Sequence, residues 1–135
     1  MSTLSQRLEH IKAENPKLKG SIDALADYIE RLRLRGQREL EPYLAAQALH
    51  TTEAFALGLL KLFEDAGLLK HSYNIYCTKQ RTLLANVREI EDIPSVIYCK
   101  FCDQEHCDPN DFEVELVFTV EDAAWQSLSQ NVATH

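Results

Sequence analysis

Glu41-Pro42-Tyr43-Leu44-Ala45-Ala46-Gln47-Ala48-Leu49, followed by His50-Thr51-Thr52 and by Glu53-Ala54-Phe55-Ala56-Leu57-Gly58-Leu59-Leu60, is the stretch that decides the fold. Pro42 stands where a first helical residue has no use for its N–H, and the alanines after it make a small-residue face. His50-Thr51 reads as a tight turn. Thr52 then caps a long amphipathic helix whose inward side is expected to carry Ala54, Leu57, Leu60 and either Phe63 or Leu59. Ala66-Gly67-Leu68-Leu69 stops that helix, with Gly67 as the left-handed C-terminal residue. Ser72-Tyr73-Asn74-Ile75-Tyr76-Cys77 reads as a strand. Upstream, Leu4, Leu8 and Ile11 recur at helical spacing until Pro16 and Gly20 close the segment. Ser21 is expected to cap a second helix with Ile22, Leu25, Ala26, Ile29, Leu32 and Leu34 as its apolar stripe and Gly36 as its end.

A small-residue helix, a short turn, a second helix, a Gly-Leu-Leu stop and a strand pair together resemble the winged helix-turn-helix superfamily over residues 21–88. The resemblance implies a helical DNA-binding domain, since DNA binding is the superfamily's commonest task. The residues themselves offer little for it. Thr51-Thr52-Glu53-Ala54-Phe55-Ala56, the start of the would-be reading helix, holds no Arg, Lys, Asn or Gln to address base edges. The wing supplies Lys79 and Arg81, with Lys70 and His71 at its base. Arg31, Arg33, Arg35 and Arg38 gather at the end of the second helix, where cations also suit the helix dipole. A DNA-binding regulator resting on Lys79, Arg81, Arg31, Arg33 and Arg35 is therefore the alternative, and a protein-docking or dimerisation module the leading expectation.

The second half carries the chemistry. Thr82–Val87 reads as a strand, Pro94 interrupts, and Ser95-Val96-Ile97-Tyr98-Cys99 begins another. Cys99-Lys100-Phe101-Cys102 is a CxxC at a strand end, a spacing that aims two thiolates at one tetrahedral Zn²⁺. Cys77, also at a strand end, is the natural third ligand. The fourth is His106 or Cys107, neighbours that do not bind one ion together, with His106 preferred. Asp108-Pro109-Asn110-Asp111 is a dense turn signal. Phe112–Val120 is the cleanest strand, with Val114, Leu116, Phe118 and Val120 on one side. Glu121–Leu128 is expected to form a short helix that packs Trp125 and Leu128 back, and 129–135 to be a mobile tail. Tyr76-Cys77, Ile93-Pro94, Cys99-Lys-Phe-Cys102 and Val114–Phe118 resemble a zinc ribbon placed after a winged helix. In this ribbon the first knuckle, Cys77-Thr78-Lys79-Gln80, lacks its second cysteine, so either His106 or Cys107 replaces it and Zn²⁺ is bound, or the site has lost its metal and survives as a hydrophobic β-module. Small prokaryotic proteins share the arrangement, and the resemblance implies an accessory part of a multi-component system such as a defence locus.

The fold class expected is therefore α+β: a helical winged-helix domain over 1–72, then a small antiparallel zinc-ribbon-like module over 73–128. With 135 residues and 45% apolar content the chain can bury a core. No apolar run approaches the ~20 residues of a membrane span. The first residues lack a signal peptide's pattern, so a cytoplasmic protein with no membrane partner is expected, its four cysteines serving as thiols or ligands. The net charge is −7, and residues 89–135 set Lys100 alone against eleven acids. That acidic third suits a partner protein with a basic or polar surface, or a homodimer, and repels nucleic acid. Four glycines in all leave no phosphate-cradling loop, and there is no nucleophile elbow or HExxH. The reading is a non-enzymatic adaptor. A small zinc enzyme with an open position on Cys77, Cys99 and Cys102 is the second alternative.

Overall fold

The computed structural model describes residues 3–99, the backbone of 104–106, and residues 112–125. The elements run α1 (Leu4–Glu14), α2 (Lys19–Leu34), β1 (Glu39–Leu40), α3 (Pro42–Leu49), α4 (Glu53–Asp65), β2 (Leu69–Cys77), β3 (Leu83–Val87), β4 (Ile97–Cys99), β5 (Gln104–His106) and β6 (Phe112–Val120). Short 3₁₀ turns lie at Pro16–Leu18 and Ile90–Asp92. The fold is α+β.

Local chemistry accounts for most boundaries. Thr3 and Gln6 form a reciprocal capping box at α1, the Gln6 N–H donating to Thr3 Oγ1 (3.1 Å) and the Thr3 N–H to Gln6 Oε1 (2.9 Å). Pro42 opens α3 and Thr52 caps α4, its Oγ1 accepting from the Phe55 N–H at 3.1 Å. Three helices end in the same way. At Gly36, His50 and Gly67 the backbone enters the left-handed region, and paired 6→1 and 5→2 hydrogen bonds close the last turn. His50 does so without being glycine, with φ 55°.

Three helical expectations need correction. The first helix does close before Pro16, α1 ending at Glu14, but Gly20 is not a stop and Ser21 is not the cap of the second helix. The 3₁₀ turn at Pro16–Leu18 runs directly into α2, which starts at Lys19 and has Gly20 and Ser21 inside its first turn. Proline's fixed φ already sets up helical backbone there. Leu34 is 79% exposed, because two residues beyond Leu32 lies on the opposite side of a helix. In α4 the inward residues are Ala56, Leu59, Leu60 and Phe63, an i, i+3, i+4, i+7 set, whereas Ala54 and Leu57 face outward.

The main sheet has the order β1-β6-β2-β3. β1 pairs antiparallel with β6 (Leu40 opposite Phe118), and β2 with β3 (Asn74 opposite Asn86), with a register irregularity after Ile75. β4 and β5 form a separate antiparallel pair, with Ile97 opposite His106 and Cys99 opposite Gln104. The segment read as a cysteine-rich turn thus contains a strand.

The chain divides into two compact units, residues up to Lys70 together with those from Phe118 onward, and His71–Val117. In the first, Ile22, Leu25, Ile29, Leu60, Phe63 and Leu68 are fully buried around the helices. The Leu68 carbonyl accepts both the Glu121 N–H and the Trp125 indole N–H, each at 3.0 Å, which binds the returning chain to the end of α4. Trp125 is buried as expected; Leu128 and the tail lie outside the described residues. In the second unit Ile75, Cys77, Ile97, Cys99 and Val117 are buried. Across its β2–β3 pair a polar ladder is satisfied internally. Asn86 Nδ2 donates to Ser72 Oγ (2.9 Å) and Asn74 Oδ1 (2.7 Å), and Asn74 Nδ2 to the Tyr76 hydroxyl (3.2 Å).

Candidate functional site

α3 and α4 pack against each other, and Ala45 and Ala46 on one helix and Ala56 on the other are buried. Small side chains let the backbones approach, and the three-residue link His50–Thr52 sets the angle. What α4 then presents outward is Glu53, Ala54, Phe55, Leu57 and Gly58. Its one cation, Lys61, lies 3.5 Å from Glu64 and 3.8 Å from Asp65. Phe55 and Leu57 are each more than a third exposed.

The arginine cluster is largely occupied. Arg33 is mostly buried and donates to Glu30 at 2.9 Å. Arg38 pairs with Asp122 at 3.0 Å, and Arg31 with Asp27 at 3.3 Å on an open surface. Arg35 has no ion pair among the described residues. Lys79 and Arg81 are exposed in the link between β2 and β3, where Arg81 takes φ 55°.

Between α2 and the α3–α4 turn lies a seam that the sequence reading did not single out. A hollow of about 350 Å³ is bounded by Gly20, Ser21 and Ala24 on α2 and by Leu49, His50, Thr51 and Phe55 opposite. One helical turn further along α2, a second hollow of about 190 Å³ is bounded by Tyr28, Arg31, Leu32, Arg35 and Ala48. Burial pushes the Tyr28 phenol above its ordinary range; Arg31 and Arg35 act in the opposite sense and Glu41 in the same sense. The signal was available as Gly20, Ala24, Tyr28, Arg31 and Arg35 at three- and four-residue spacing. Treating Gly20 as a helix stop hid it.

The cysteine pair sits in the second unit. Cys77 ends β2 and Cys99 ends β4, both with no exposed surface. The Cys77 link is a tight loop. Arg81 N–H donates to the Cys77 carbonyl (2.8 Å), Cys77 N–H to the Thr82 carbonyl (3.0 Å), and Gln80 N–H to Cys77 Sγ (3.4 Å). A soft thiolate pair is a donor set suited to Zn²⁺. His106 is placed by its backbone, and the register puts positions 97, 99, 104 and 106 on one side of the β4–β5 pair. Cys102 and Cys107 lie outside the described residues. Among the described residues, no three of His, Cys, Asp or Glu come together as a metal site. A hollow of about 200 Å³ beside Cys77 is bounded by Tyr76, Arg81, Glu113 and Glu115.

No helix among the described residues is long and apolar enough to cross a membrane. Compared with protein families, with characterised proteins and with solved structures, the chain matches none.

Proposed function

We propose that this chain is a non-enzymatic interaction protein, an adaptor or accessory subunit whose helical unit docks another protein. The observation that carries the reading is the outward face of α4. Where the winged-helix reading would put a DNA-reading helix it offers Ala54, Phe55, Leu57 and Gly58, and its single lysine, Lys61, lies about two turns beyond the start of the helix beside Glu64 and Asp65. Duplex DNA needs unpaired Lys and Arg to displace its counterions, and an apolar helix face beside Glu53 supplies none. Exposed Phe and Leu on a helix face instead suit a protein surface. The winged-helix resemblance is supported by the run α2, β1, α3, α4, β2 and by β1 pairing with a later strand. That strand is β6 rather than β3.

The second unit is proposed to hold one structural Zn²⁺, through Cys77 and Cys99 with Cys102 and His106, Cys107 being the other choice of fourth ligand. Two buried sulfurs, one already supported by the Gln80 N–H, fit the role. Position 106 shares the side of the β4–β5 pair on which Cys99 is buried. The ion would stabilise the fold and leave no open position for catalysis.

The test of the interaction reading sets DNA against protein. The pure chain is expected to leave a duplex unshifted at ~20 mM salt, where even weak phosphate binding is visible. A protein that co-purifies with the wild type is expected to be lost with Leu57→Glu, a substitution on an exposed site that leaves folding intact. A salt-sensitive shift that weakens with Lys79→Ala and Arg81→Ala would replace the adaptor reading with a DNA-binding one.

A further inference from the structure

The two hollows follow one another along α2 about one helical turn apart, and together they are the seam. Gly20, Ala24, Tyr28, Arg31 and Arg35 lie on one face of the helix, and from Gly20 to Arg35 that face is about 22 Å long at 1.5 Å per residue. Its two ends differ in chemistry. The Gly20–Ala24 end has a floor of small residues and a wall made by Phe55, which is 39% exposed. The other end carries two guanidinium groups over Tyr28. Neither hollow is bounded by a single Asp or Glu, on a chain whose net charge is −7. Asp27 does pair with Arg31, but both side chains are more than half exposed, and such a pair is worth little and yields readily to a better carboxylate. A basic seam on an acidic protein selects its occupant by sign, and a small-residue floor beside an aromatic wall selects a bulky apolar side chain.

We propose that this seam docks one amphipathic helix of a partner protein, with an apolar side chain seated between Gly20, Ala24 and Phe55 and carboxylates two to three turns away on Arg31 and Arg35. The proposal rests on the adaptor reading and gives it a recognition surface. A helix of about four turns matches the seam's length. Arginine's planar fork takes a carboxylate through two hydrogen bonds, so Arg31 and Arg35 fix register as well as sign. This partner is acidic where it meets α2.

Gly20 makes a clean test possible. A Cβ added there meets nothing within 4 Å, so a side chain at position 20 starts in open space beside the hollow. The experiment selects a displayed library of 16-residue helical peptides on the full chain and removes binders that also hold the Gly20→Leu, Arg35→Glu double variant. The selected sequences are expected to carry Leu, Ile or Phe and, seven to eleven residues away, Glu or Asp. The best synthetic peptide should lose at least tenfold in affinity with Gly20→Leu, and again with Arg35→Glu, while the melting temperature of Gly20→Leu is unchanged or higher. Basic or uncharged winners, or a selection left with no binder once those that hold the double variant are removed, overturn the proposal. So does displacement of the peptide by a 20-base-pair duplex acting through Arg31 and Arg35. A chain that self-associates and becomes monomeric with Gly20→Leu assigns the seam to a second copy and overturns it equally. Failure here, with a co-purifying protein still lost in Leu57→Glu, leaves the adaptor reading standing and removes only the seam.

Discussion

Gly67 shows how much of the helical unit depends on one residue. The backbone there has φ +79°, and a Cβ would stand 2.8 Å from Arg7 Nη1. Arg7 in turn donates to the carbonyls of Ala66 (3.2 Å) and Gly67 (3.3 Å), so an α1 side chain caps the end of α4. Gly36 has the same φ but nothing within 4 Å of its missing Cβ. The pair separates two effects. Gly36→Ala is expected to cost about 1 kcal/mol, the strain of a left-handed alanine alone. Gly67→Ala is expected to cost about 1–2 kcal/mol more, because the Arg7 bonds are lost as well. Denaturant unfolding of both variants checks this. With Arg7→Ala already in place, the extra cost of Gly67→Ala should shrink toward that of Gly36→Ala.

At the scale of the element, α4 is decided by its phase. Leu60 has no exposed surface, whereas Leu57, three residues earlier, is 38% exposed. Leu60→Ala is expected to cost about 2–5 kcal/mol from lost transfer energy and the cavity left behind, and Leu57→Ala less than about 0.5 kcal/mol. Equal costs in equilibrium unfolding would mean the helix is rotated from the position described. The same element shows what was readable from sequence. Its start and stop rest on Thr52 and Gly67, whose signals act within four residues, and both were legible. Its rotation was not, because Ala54, Leu57, Leu60 and Ala56, Leu59, Leu60, Phe63 both keep helical spacing and only the packing partner chooses between them. β1 was invisible for a related reason. Two residues have no periodicity, and their partner in β6 lies 78 positions away, Leu40 against Phe118. β5 is Gln104-Glu105-His106, with no apolar residue to announce a strand. The cysteines at strand ends were legible at Cys77 and Cys99. The α2 seam was not, since it consists of absent side chains at Gly20 and Ala24, and a space is the property of two elements rather than one.

The whole molecule is two units with unequal means of support. The helical unit buries a broad set of Leu, Ile and Phe side chains together with Trp125. His71–Val117 is 47 residues long, and the described part of its core is Ile75, Ile97, Val117 and the two cysteines. A unit of that size rarely builds several kcal/mol from apolar burial alone and commonly needs a metal or a covalent tie. Zinc at the cysteines would supply it, and the two units should then respond differently to its removal. The chain purified from zinc-supplemented medium is expected to carry close to one Zn²⁺, and Cys77→Ser and Cys99→Ser each to carry much less. After chelation, amide exchange should accelerate through β2, β3 and β4, because a metal site that exists only in the folded state gives its binding energy to that fold. The amides of α2 and α4 should keep their protection, since their core contains no ligand. Metal-free protein with slow exchange at Ile75 and Ile97 would mean that the sulfurs serve as small apolar side chains and that the unit stands on packing alone. Rapid exchange in α2 and α4 on chelation would instead mean that the units unfold as one, and the separation of their stabilities would be lost.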